Sequence, residues 1–240
     1  MSTSVVSGHQ LIPAPTGAVR SVPGARVVSA SVRRLGFWSA VAMATTYILF
    51  VLASSYALGS FLSVPWDQII PIGASILIAP AFVLLMVSIY YVTAETKRIW
   101  SHAAIAFAIL YAAFVSIVYV TLLFVVEPQV VHHTESEVAP FLFGHGTFLQ
   151  MVDGLGYTYM SLAICLTAPT FAGGSLATWI RGIAIASGPA AVGVLASFVF
   201  YSGPLALLGI GAFLVPVYGV LVAIYFRRAG RTVEPQTRFG

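Results

Sequence analysis

The chain has 240 residues, of which 59% are apolar and 8% charged, with a formal net charge of +4 and a mean hydropathy of +0.97. Eleven Lys and Arg and seven Asp and Glu cannot cover a water-soluble globule of this size, which is ordinarily about a quarter charged. Disorder, a collagen repeat and a disulfide scaffold are excluded as well, because the chain is apolar, its 21 Gly have no period and it holds one Cys.

The expected fold class is therefore an all-α polytopic transmembrane bundle. Residues 1–33 are rich in Ser, Val, Pro and Gly, with apolar stretches too short to span, and read as a flexible cytoplasmic tail. Six apolar runs follow, long enough to cross a hydrocarbon core of about 30 Å. They place spans at 36–60, 68–93, 102–126, 147–169, 177–200 and 204–226 within a membrane domain over 34–228, with a second short tail over 229–240. None alternates as a barrel strand would. The connections at 61–67 and 201–203 read as tight outer turns, those at 94–101 and 170–176 as short inner ones, and 127–146 as the one long outer loop.

All eleven basic residues then fall on one side. Arg20, Arg26, Arg33 and Arg34 precede the first span; Lys97 and Arg98 lie in the first inner connection and Arg181 at the inner entry to the fifth span; Arg227, Arg228, Arg231 and Arg238 follow the last. The positive-inside rule makes both termini cytoplasmic, and the even number of spans agrees with that sorting. The positive charge describes a rim facing the lipid bilayer, where Arg33, Arg34, Arg227 and Arg228 would meet anionic head groups; it is not a nucleic-acid surface. Homo- or hetero-oligomers remain open.

In the second span Pro71, Gly73 and Pro80, and in the fifth Gly188 and Pro189, are candidate helix breaks. If the six spans are two inverted sets of three, these two spans correspond, as the interrupted helices of inverted-repeat transporters do. In the third span Tyr111, Ser116 and Tyr119 offer polar groups. The fourth carries Asp153, and an acid at that depth is a functional-site hypothesis by default. At 100° per residue Gln150, Asp153, Tyr157, Ser161 and Cys165 share a stripe that must face other helices or a wet cavity. With no Lys or Arg at its depth, Asp153 has only hydroxyls or water to stabilise a charge. The competing reading is that it merely ties helices together beside Gly154 and Gly156.

Several chemistries drop out. A retinal Schiff base needs a Lys within a span, and the single Lys97 is in a connection. No pair of His lies within the spans to ligate haem. No phosphate loop, zinc-protease pair or nucleophile elbow occurs, so no cofactor is expected and a non-enzymatic role is preferred. The outer loop gathers His132, His133, Glu135, Glu137 and His145, which could hold a metal, although the spacing fits a solvated loop better.

The run Tyr119-Val120-Thr121-Leu122-Leu123-Phe124-Val125-Val126 leading to Pro128, then Asp153-Gly154-Leu155-Gly156-Tyr157 and Met160-Ser161-Leu162-Ala163, resembles a group of bacterial multi-pass membrane proteins without an assigned activity. The likeness extends through Ala168-Pro169-Thr170-Phe171 and Trp179-Ile180-Arg181. It implies a bacterial cytoplasmic membrane, an acid as a shared feature at Asp153, and no particular chemistry. Function is therefore expected to be small-molecule or proton-coupled transport or binding within the bundle around Asp153. The alternatives are a non-catalytic membrane subunit or sensor and, third, a membrane-embedded metalloenzyme using the outer loop.

Overall fold

The computed structural model describes residues 29–54, 61–144, 146–200 and 211–229. Among them every regular element is helical. Helix α1 runs Ala30–Ala53, α2 Trp66–Val92, α3 Arg98–Thr121, α4 Phe148–Leu166, α5 Gly174–Phe200 and α6 Gly211–Arg228. Four helical stretches are long and apolar enough to cross a membrane: α1, α2, Glu95–Val131 and Gly174–Ser197. Helix α4 has 19 residues but carries Gln150, Asp153 and the Tyr157–Tyr159 run, and α6 has 18 and ends in Arg227 and Arg228.

Each helix packs on its neighbours in chain order, and α6 returns to α1, so the six close a ring. Closure depends on small residues. A Cβ on Gly219 would stand 3.1 Å from the Ala44 Cβ and 3.3 Å from the Ala40 carbonyl oxygen, and one on Gly36 would enter the Phe226 ring. Because Gly36 meets Phe226 while Met43 and Ala44 meet Gly219, α1 and α6 run antiparallel. Phe82 against Tyr111 and Tyr90 against His102 establish the same for α2 and α3. Arg33, Arg34, Arg227 and Arg228 thus share one end of the ring.

Tryptophan marks the ends as well. Trp38, Trp100 and Trp179 are exposed near the arginine end and Trp66 near the other, as expected of side chains that sit at a membrane interface.

Several expected boundaries move. The first helix starts at Ala30 and not 36, and positions 55–60 of the first run lie outside the described residues: the Ser29 hydroxyl accepts from the Val32 N–H at 3.3 Å and starts the helix early, so Ala30–Arg33 are its first turn and not tail. The remainder of the tail, residues 1–28, and positions 204–210 of the sixth run lie outside the described residues. The third helix does not stop at 126 but passes through a π turn, Leu122–Val126, into Glu127–Val131, so the first turn and more of the expected outer loop is helix. A short 3₁₀ segment, Glu135–Phe141, follows.

The proposed helix breaks are not breaks. Pro71, Gly73 and Pro80 lie inside the continuous helix α2, and Gly188 and Pro189 inside α5. Proline removes one amide donor but does not end a helix whose neighbours can accommodate the freed carbonyl, which is the usual situation in membranes.

The interruption occurs in the fourth run instead. Helix α4 ends at Leu166, not 169, with Thr167 fully buried and its hydroxyl 2.7 Å from the Tyr218 hydroxyl. Tyr218 is eight residues before Phe226, so α4 stops about 12 Å short of the arginine end at 1.5 Å per residue. A 3₁₀ turn, Ala168–Thr170, and Phe171, whose ring meets Tyr225 edge-on at 5.3 Å, carry the chain the rest of the way. Irregular backbone at this depth needs internal partners. Thr167 supplies them: its N–H and hydroxyl both donate to the Ile164 carbonyl, and its own carbonyl accepts from Thr170.

Candidate functional site

Helical periodicity places Asp153 and Tyr157 one turn apart on α4, and Tyr111 and Tyr119 two turns apart on α3. Gly156 lets the two backbones close: a Cβ there would sit 3.0 Å from the Val115 Cγ2. The Tyr119 and Tyr157 hydroxyls consequently lie 3.4 Å apart, and the Tyr111 and Tyr157 ring centroids 5.8 Å apart.

Two more helices complete the site. From α1, Phe50 stacks on Tyr157 at 6.4 Å and meets Tyr119 edge-on at 6.2 Å, and Tyr47 lies one turn earlier, edge-on to Phe50. From α2, Phe82 meets Tyr111 edge-on at 5.5 Å, and Ser75 lies beside the Tyr119 and Tyr157 hydroxyls. Four tyrosines, Tyr47, Tyr111, Tyr119 and Tyr157, are within electrostatic reach of the Asp153 carboxyl. Tyr119 is the hydroxyl that faces it most directly.

Asp153 is 4% exposed. Among the described residues it forms no ion pair, and its Oδ1 is buried with no hydrogen-bond partner. The Ser75 hydroxyl and the Tyr111 hydroxyl are also buried and unpartnered, their neighbours lying close but without hydrogen-bond geometry. A buried polar group left unpaired costs about 1–3 kcal/mol, so three in one site is a substantial standing penalty. All three are oxygen atoms, and two of them can donate or accept. The arrangement suits a proton, a water or a small hydrogen-bonding or cationic guest held by a carboxyl, with aromatic faces around it.

Asp153, Tyr157, Tyr111 and Tyr119 of the expected site therefore come together. Gln150 does not join them: its Oε1 accepts from the Gly146 N–H at 3.0 Å and ties α4 to the preceding loop. Ser161 turns its hydroxyl back to the Tyr157 carbonyl at 3.0 Å, a bond within its own helix. Cys165 packs on α5, where a Cβ at Gly188 would stand 3.0 Å from its Sγ. Tyr47, Phe50 and Ser75 were not expected. Helices α1 and α2 are apolar on nearly every face, so their sequences do not say which face turns inward.

The outer His/Glu residues are dispersed along an exposed segment. His132 ends the helix Glu127–Val131, His133 has φ +58°, and Glu135 and Glu137 lie in the 3₁₀ turn. Among the described residues no three His, Cys, Asp or Glu side chains gather as a metal set; His145 lies outside those residues.

No family model, curated protein or solved structure matches the chain.

Proposed function

We propose that this is a six-span membrane protein, both termini cytoplasmic and the loop around 132–146 outside, which binds a proton or small solute at Asp153 as part of transport or sensing across a bacterial cytoplasmic membrane. The observation that carries the reading is that three buried, unpartnered oxygens, Asp153 Oδ1, Ser75 Oγ and Tyr111 OH, come from three helices that surround Tyr119 and Tyr157. A buried carboxyl oxygen left unpaired is retained against its cost when something else uses it.

The second reading, a non-catalytic subunit or sensor, draws support from the closure of the site, since a carboxyl 4% exposed is shut off from solvent. Under the transport reading the ring opens beside Asp153 to load and release.

The two separate in vesicles holding a pH-sensitive dye. Under an imposed proton gradient, the reconstituted chain is expected to collapse the gradient faster than protein-free vesicles, and Asp153→Asn, which keeps shape but cannot exchange a proton, is expected to return the rate to the protein-free level. Collapse at the same rate by folded Asp153→Asn refutes proton coupling at this residue.

A further inference from the structure

The close approach of α1 and α6 at Gly36 and Gly219 brings two backbones together and leaves the larger flanking side chains splayed on the outside of the ring. Between them lies a groove of about 210 Å³ lined by Phe37, Val41, Thr45 and Ile48 of α1 and by Val220, Ile224 and Arg227 of α6, with Ala44 and Ala223 at its floor. On α6 the wall positions 220, 224 and 227 form one helical stripe that ends in Arg227. On α1 the stripe Phe37, Val41, Thr45, Ile48 extends one turn back to Arg34. Both arginines are exposed, at the same end of the groove.

The chemistry along the groove is that of an amphiphile. Its walls are apolar through most of their length, Trp38 beside Phe37 marks the interfacial level, and two cations stand just beyond. No acid balances them: among the described residues the acid at this end is Glu95, engaged by Arg98 at 3.4 Å. We infer that the α1–α6 groove is a binding site for one acyl chain of an anionic phospholipid, whose phosphate is held between Arg34 and Arg227. This differs from a general attraction of head groups to a basic rim, because it requires both a chain-shaped slot and a paired cation site. The site is remote from Asp153 in composition and does not depend on its role.

Native mass spectrometry of the full chain, purified from nanodiscs containing equal phosphatidylglycerol and phosphatidylcholine, tests this. The wild-type chain is expected to retain one phosphatidylglycerol after other lipid is stripped, at least five-fold over phosphatidylcholine. Arg34→Gln with Arg227→Gln should abolish that preference. Thr45→Trp, which fills the slot and leaves both arginines, should lose the retained lipid. Both sites are exposed, and unchanged helical circular dichroism melts establish that the variants fold. Equal retention of the two lipids by the wild-type chain overturns the inference, as does full phosphatidylglycerol retention by either variant. A dimer that Thr45→Trp dissociates, with lipid unaffected, overturns it in favour of a second copy in the groove.

Discussion

Asp153 is the residue on which structure and sequence bear most directly, because the two readings of it predict opposite signs for one mutation. If the carboxyl ties α3 to α4, Asp153→Leu removes hydrogen bonds worth about 0.6–2 kcal/mol and lowers the melting temperature. The geometry offers little of this: Tyr119 is the one hydroxyl that faces the carboxyl, and Oδ1 has no partner. Leu has similar bulk and no group to desolvate. Asp153→Leu is therefore expected to leave thermal stability unchanged or to raise it by roughly 1–3 kcal/mol, the cost of the buried unsatisfied oxygen it removes. A melting temperature lowered by several degrees would restore the tie. Asp153 was legible in the sequence because an acid within an apolar run announces itself, and its partners on α3 and α4 followed from helical spacing. Ser75 and Tyr47 were not, since a hydroxyl on an all-round apolar helix carries no sign of where it points.

At the level of the helices, the information missing from the sequence concerns their ends. Proline in α2 and α5 looked like punctuation, yet both helices run through it. The actual break, at Thr167, has no glycine and only Pro169 after it. What fixes that end is tertiary: Thr167 donates to Ile164 and so can only accept from Tyr218, whose hydroxyl is 2.7 Å away in a wholly buried site. A bond between residues 51 positions apart leaves no local pattern. Because Thr167 keeps its own bond to Ile164 when Tyr218 is lost, Tyr218→Phe is expected to cost about 0.6–1.7 kcal/mol, the range for single interhelical bonds in a bilayer. Thr167→Val should cost more, since it also removes the hydroxyl that caps α4 and leaves the tyrosine unpaired. Urea- or detergent-driven unfolding of the two variants ranks them, and a Tyr218→Phe loss equal to or larger than that of Thr167→Val would show that the tyrosine has another role.

For the molecule as a whole, the closed ring and the sidedness of charge constrain one another. The contacts of Gly36 with Phe226 and of Gly219 with Met43 bring the first and last helices together antiparallel, so the two termini leave from one end. Phe171 against Tyr225 places the α4–α5 link at that same end, and with it Arg181 in the second turn of α5. Ring closure itself could not be read from the sequence, because nothing local in α1 or α6 says that they meet. The charge pattern could, because a Lys or Arg at the centre of a membrane helix costs about 2.5–3.5 kcal/mol and the sequence keeps its basic residues near the ends of the apolar runs. If the ring lies across the bilayer with the arginine end inside, position 136 in the segment after Val131 faces the outside and position 232, just beyond α6, the cytoplasm. Single cysteines in a Cys165→Ala background are expected to report this with an impermeant maleimide. Ser136→Cys should label on intact cells, and Thr232→Cys only once the membrane is opened. Labelling of both positions from the outside would require an even number of crossings between them, and with it the loss of one of α4, α5 and α6 as a span.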